Sequence, residues 1–169
     1  DQSLSFQITS GERIGFKGKN ASGKTTLIKI LLGLLQPSSG SVFRAEFNSV
    51  YIDQDYSLIQ NGLSVFQQAS LFNNGDLLDH EIKTRLHRFL FDKEFWDKAC
   101  EKLSGGEKMR LMLCCLMISN HAPDVLVLDE PTNNLDIQNI KILTSAISDF
   151  QGTLIVVSHD SCFLRDVGV

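Results

Sequence analysis

The chain has 169 residues, 43% of them hydrophobic and 21% charged, which is enough apolar material for one globular domain and too little charge bias for a disordered one. Sixteen Lys and Arg against 20 Asp and Glu leave a formal charge of −4, so nonspecific DNA binding through a basic surface is disfavoured and any polyanion contact has to be a local site. No apolar run approaches the roughly 20 residues that span a bilayer; the longest are residues 27–35, broken by Lys29, and 111–118. No direct membrane insertion is expected.

Near the start, Arg13, Ile14, Gly15, Phe16 and Lys17 alternate before a Gly-rich turn, and residues 25–35 then carry Leu27, Ile28, Leu31, Leu34 and Leu35 at helical spacing. This predicts strand, loop, helix. Pro37 to Gly40 stop the helix, and residues 41–51, with Val42, Phe43, Phe47, Val50 and Tyr51, predict strands returning to the sheet. Residues 64–102 read as a helical insert in which Leu78, Ile82, Leu86 and Phe89 form one apolar stripe. Residues 125–128 and 153–157 are continuous apolar runs rich in branched side chains, the pattern of strands covered on both faces of a parallel sheet. Between them Ile137, Ile140, Leu143 or Thr144, and Ile147 mark an amphipathic helix. Strands alternating with helices define an α/β domain, in which ligands collect at the carboxyl ends of the strands.

The four cysteines, Cys100, Cys114, Cys115 and Cys162, show neither a C-x-x-C pair nor a metal-ligand spacing. They read as buried, reduced thiols in a cytoplasmic protein. The chain opens at Asp1 without Met and stops at Val169, and it is taken as a piece of a longer protein.

Residues 18–25, Gly-Lys-Asn-Ala-Ser-Gly-Lys-Thr, match G-x-x-x-x-G-K-[ST] between a predicted strand and a predicted helix. Glycines let successive N–H groups point at phosphate oxygens, at the positive end of the helix dipole. Lys24 adds a full charge for the β- and γ-phosphates, and the Thr25 hydroxyl can ligate Mg²⁺. A Gly-rich turn with a solvated lysine is the alternative, and the correct flanks disfavour it.

The buried run at residues 125–128 ends in Asp129 and Glu130. Asp129 is placed to hold Mg²⁺ and Glu130 to polarise a water at the γ-phosphorus. Gln54 follows a strand-like run and can reach the metal or that water, whereas alone it reads as a surface glutamine. His159 follows the run at 153–157 and can contact the γ-phosphate, although a single histidine is more often structural. In Leu103-Ser104-Gly105-Gly106-Glu107, Ser104 and Glu107 fit a capping box. Capping does not explain two glycines in a first turn, so this helix start is a second candidate anion site.

With these five elements in this order, the chain resembles the nucleotide-binding domain of ATP-binding-cassette (ABC) ATPases over nearly its whole length. The resemblance implies an α/β P-loop NTPase fold, a mostly parallel central sheet with a helical subdomain insert. Within one ABC domain it implies a core ATPase part at residues 1–61, the insert at 62–102, and residues 103–169 carrying the signature, Walker B, D-loop and switch histidine. It implies that Gly18, Asn20, Ala21, Ser22, Gly23, Lys24, Thr25 and Thr26 bind ATP as the Walker A loop, with Ser104, Gly105, Gly106 and Glu107 as the signature. Glu130, His159, Gln54 and Lys24 become the catalytic set, Thr25, Gln54 and Asp129 the Mg²⁺ set, and Asp136 the D-loop residue. Ala21 stands where the family's loop usually has glycine, which implies weakened phosphate binding.

The resemblance further implies that ATP lies between the Walker A side of one cassette and the signature of a second, on the same parent chain or in a homodimer. Residues 130–136, 103–111 and 157–164 look most like the ABC-F group of soluble tandem-cassette proteins, which act on the ribosome as translation factors or in antibiotic resistance. The lack of a long arm in residues 62–102 points to a truncated second cassette. An ABC transporter subunit and a nucleotide-binding module with negligible hydrolysis are the alternatives.

Overall fold

The computed structural model describes residues 4–19, 22–133 and 135–169. Among the described residues four strands form one parallel sheet: β1 (Arg13–Phe16), β2 (Ser49–Ile52), β3 (Val125–Asp129) and β4 (Thr153–Val157), ordered β1-β4-β3-β2. The register pairs Phe16 with Val157, Leu128 with Val156, and Ile52 with Leu128. All four strands run the same way, so their carboxyl ends share one edge, where each chain segment must turn and expose polar groups. Every residue of β4 is buried, as are the last four of β3. Both were expected as two-face strands from their unbroken apolar runs.

The helices are α1 (Lys24–Leu31), α2 (Val65–Leu71), α3 (Asp79–Arg88), α4 (Gly105–Ile118), α5 (Ile137–Ser148) and α6 (Ser161–Asp166), with single 3₁₀ turns at Lys93–Phe95 and Cys100–Lys102. On one side of the sheet Ile28 of α1 packs with Val127, Ile155 and Val157. On the other, Met109, Leu111 and Met112 of α4, Leu143 and Ile147 of α5 and Phe163 of α6 join Leu126, Leu128, Leu154 and Val156. Ile82 and Leu86 of α3 belong to that same cluster, so the helical insert shares a continuous core with the sheet through α4.

Arg13 reaches from β1 to a set of carbonyls: its guanidinium donates to Val167 O at 2.7 Å and Phe150 O at 2.6 Å, with longer bonds to Ile147 O and Ser148 O. One side chain thereby ties β1 to the ends of α5 and α6.

Several expectations are corrected. The first helix ends at Leu31, short of Leu35, because Gly33 turns at φ 78° and the Arg44 guanidinium donates to the carbonyls of Ile30 and Leu31. Residues 41–48 form no strand; only Ser49–Ile52 joins the sheet, and Phe43 is 97% exposed. Apolar pattern without a strand to pair against was misleading there. Leu78 and Ile137, read as core-facing, are exposed because Leu78 caps α3 just before its first residue and Ile137 is the first residue of α5, outside the packed turns. Cys100, Cys114 and Cys115 are buried free thiols, but Cys162 is exposed on the first turn of α6.

Candidate functional site

The site is built where the strands end. After β1 the chain enters the phosphate loop, whose last residue, Gly23, caps α1 at φ 90°. A side chain is strained in that region, which is the local reason for glycine here. Gly18 is held by space instead: a Cβ on it would stand 2.9 Å from Ser22 Oγ. Ser22 N–H donates to Lys19 O, and Lys24 Nζ folds back to donate to Gly18 O at 2.7 Å and Lys19 O at 3.0 Å. Thr26 is exposed on the first turn of α1. Asn20 and Ala21, both expected in this loop, lie outside the described residues.

Asp129, the last residue of β3, is 5% exposed, and its Oδ2 accepts from two hydroxyls: Thr25 Oγ1 at 3.1 Å and Tyr51 OH at 2.9 Å. The parity of the sheet explains this convergence. Tyr51 pairs with Val127, and Asp129 lies two residues further on, so both face α1 and Thr25. Burial first, and then the Asp129 carboxylate, push the Tyr51 hydroxyl well above the ordinary tyrosine range, so it remains a donor.

Glu130 is 7% exposed and adopts φ 51°, a left-handed conformation that costs a side-chain-bearing residue about 1 kcal/mol or more. Its N–H donates to Val157 O at 2.8 Å, which holds the turn against β4. His159 Nε2, two residues past β4, lies 3.2 Å from Glu130 Oε1. That oxygen is buried and has no aligned hydrogen-bond donor. A buried carboxylate oxygen left short of donors is costly unless another polar group completes it.

A cleft of about 260 Å³ is lined by Gln54, Tyr56, Gly105, Asp129, Glu130 and Asn133, among others. It brings together three stretches far apart in the chain: the turn after β2, the start of α4 and the turn after β3. At α4, Ser104 Oγ accepts from Glu107 N–H, and Glu107 Oε2 accepts from Ser104 N–H at 2.7 Å. Glu107 also meets Lys98 Nζ at 3.3 Å. Burial alone would raise the Glu107 carboxyl, but the Ser104 bonds and the Lys98 charge outweigh it and hold the group below its ordinary value. The two adjacent glycines differ. Gly106 is buried, and a Cβ there would stand 2.5 Å from Asn139 Nδ2, whereas Gly105 is exposed with nothing within 4 Å.

Among the described residues no three His, Cys, Asp or Glu side chains cluster as a metal site. A hard cation bound through nucleotide oxygens needs few protein ligands, and the Thr25 hydroxyl beside the Asp129 carboxylate is a suitable oxygen pair. Tyr51 and Asn139 were not singled out from the sequence for this site. Tyr51 reads as an ordinary strand residue until the register puts it on the Asp129 face.

A parallel sheet whose edge carries a phosphate loop, a strand-end Asp-Glu pair and a capped glycine-rich helix defines a P-loop nucleotide-binding domain. The ABC transporter family model matches residues 2–133, and the chain belongs to that family. It is 38% identical to probable ATP-binding protein YbiT of Escherichia coli O157:H7 over 168 residues, 98% of this chain and 31% of that protein. It is 37% identical to ABC transporter F family member 5 of Arabidopsis thaliana, covering 96% of this chain and 23% of that protein. Among solved structures, the archaeal ribosome recycling factor aABCE1 in complex with stalk protein aP1 superposes with a TM-score of 0.75 at 29% identity, over 95% of this chain and 31% of that one. The dimeric ABC transporter cassette MJ0796 shares the fold with a TM-score of 0.74 at 20% identity, over 95% of this chain and 80% of that one. The chain thus spans about a quarter to a third of the length of these curated relatives. No helix among the described residues is long and apolar enough to cross a membrane.

Proposed function

We propose that this cassette binds MgATP along the strand-end edge and hydrolyses it as one half of a head-to-tail pair, within a cytoplasmic ABC-F-type protein that works on the ribosome. The observation that carries the catalytic part is the buried, left-handed Glu130 with its underbonded oxygen 3.2 Å from His159, beside the Thr25–Asp129 pair.

In this reading the amides of the phosphate loop, those of Gly18, Ser22, Gly23 and Thr26 included, cradle the phosphates, and Lys24 leaves the Gly18 and Lys19 carbonyls to meet the β- and γ-oxygens. Thr25, Asp129 and Gln54 would hold Mg²⁺, which would neutralise charge on the phosphate oxygens. Glu130 accepts a proton from the attacking water, and His159 keeps the carboxylate aimed and donates toward the γ-phosphate. Ser104, Gly105, Gly106 and Glu107 present the start of α4 to ATP held by the second cassette, and open space at Gly105 lets a phosphate approach the backbone. The same division keeps the core ATPase part with the phosphate loop and Gln54 at residues 1–61, the insert at 62–102, and the signature, Walker B, D-loop and switch histidine at 103–169.

The ribosomal role is supported by the likeness to a ribosome recycling factor, and the ABC-F assignment by the likeness to an F family member. A transporter subunit is the second reading, favoured by the family description. The test is Glu130→Gln in the full-length protein. Turnover should fall by about a hundredfold or more while MgATP binding persists, and the ATP-loaded variant should sediment with ribosomes. Unchanged turnover refutes the role of Glu130; trapping without ribosome association, together with recovery in a membrane complex, favours transport.

A further inference from the structure

The signature turn and the D-loop are separate stretches of chain, yet one side chain joins them. Asn139, on the first turn of α5, donates both its backbone N–H (2.8 Å) and its amide Nδ2 (3.0 Å) to Asp136 Oδ1. The same amide packs on the Gly106 backbone so closely that a Cβ there would overlap it, at 2.5 Å from Nδ2 and 3.0 Å from Cγ. Asn139 cannot swing aside freely, because moving the amide gives up its bond to Asp136. On the far side of the turn, Glu107 is tied to Ser104 and Lys98.

We propose that Asn139 is a positioning residue that locks the α4 start to the α5 cap, so that Gly105 and Asp136 reach a second cassette as one preformed surface. The proposal rests on the paired reading above. Gly106 is glycine to admit this amide, while Gly105 is glycine to leave the outer face open. The pair of glycines therefore serves two different contacts, one inside the chain and one outside it.

The test is a double-substitution cycle in the full-length protein, reading MgATP turnover at saturation and, separately, fluorescent ADP binding to the Walker A side. Asn139→Ala should lower turnover about fivefold to tenfold with ADP binding unchanged, since it releases the lock but leaves the phosphate loop alone. Gly106→Ala, which forces the amide out, should lose at least as much. The double variant should match Asn139→Ala within about twofold, because the overlap is gone. Losses that only reflect weakened folding would add instead. Asn139→Asp, which sets a carboxylate against Asp136, should fall below Asn139→Ala and keeps the proposal testable if Gly106→Ala does not fold.

Wild-type turnover in Asn139→Ala, or a double variant more than about twofold below Asn139→Ala, overturns the lock. A wild-type protein whose turnover needs no second cassette overturns the paired reading and the lock with it. Those results are told apart by the wild-type control alone.

Discussion

Tyr51 OH donates to Asp129 Oδ2 at 2.9 Å, on the same carboxylate oxygen that accepts from Thr25 at 3.1 Å. Two neutral donors thus aim one buried carboxylate. Tyr51→Phe keeps the ring in place and removes a bond to a charged acceptor, a loss of about 1.5 kcal/mol or roughly tenfold. MgATP turnover in the full-length protein should fall by about that factor, with half-saturating Mg²⁺ raised. A metal titration of steady-state hydrolysis checks it, and the melting temperature should fall by roughly 4 °C.

Glu130 sits at φ 51° with a buried oxygen short of donors, so the site stores strain. Glu130→Asn substitutes a residue that tolerates this backbone and removes the carboxylate. Relief of about 1 kcal/mol should raise the melting temperature by roughly 3 °C in a chain of this size, while hydrolysis is lost. Thermal melts beside a phosphate-release assay report both effects.

The cap of α4 has its own pH signature. The folded Glu107 carboxyl lies below its ordinary value of 4.5, so it contributes stability above that value that is lost as pH falls through the depressed one. Urea denaturation below pH 5 should show a shallower acid loss in Glu107→Gln than in the wild type. Ser104→Ala removes the reciprocal acceptor and should cost about 1 kcal/mol at neutral pH.

The thiols divide into one and three. Burial pushes Cys114 up to about 12 and raises Cys100 and Cys115 as well, so all three are protonated and covered. Cys162 is exposed. Native protein should consume one equivalent of a thiol reagent at these four positions quickly, and the other three should react only on unfolding. Mass spectrometry of the labelled peptides distinguishes them.

Local rules were enough for much of this molecule. The unbroken apolar runs ending at Leu128 and Val157 could only be two-face strands, and Gly23 followed by Lys24 and Thr25 could only open a helix under a phosphate-loop pattern. The capping box was legible because its two partners are three residues apart. Residues 41–48 misled, since an apolar side chain becomes part of a strand only when a neighbour supplies hydrogen bonds, and Phe43 has none to bury against. Leu31 ends α1 because Arg44, thirteen positions on, covers its carbonyl. Nothing within the helix announces that contact.

What the sequence alone determined is therefore the inventory: a phosphate loop, acidic residues ending one strand, a histidine ending another, and a helix opened by Ser-Gly-Gly-Glu. Each is written in neighbouring positions, where backbone geometry and spacing leave few choices. Tertiary structure decided what those groups touch. Register put Tyr51 on the Asp129 face, the parallel pairing of β3 with β4 brought His159 to Glu130, and the packing of α5 on α4 gave Gly106 and Gly105 different neighbours. Such contacts join residues far apart along the chain, so they exist only once the sheet has set which side chains share a face and how near the helices approach.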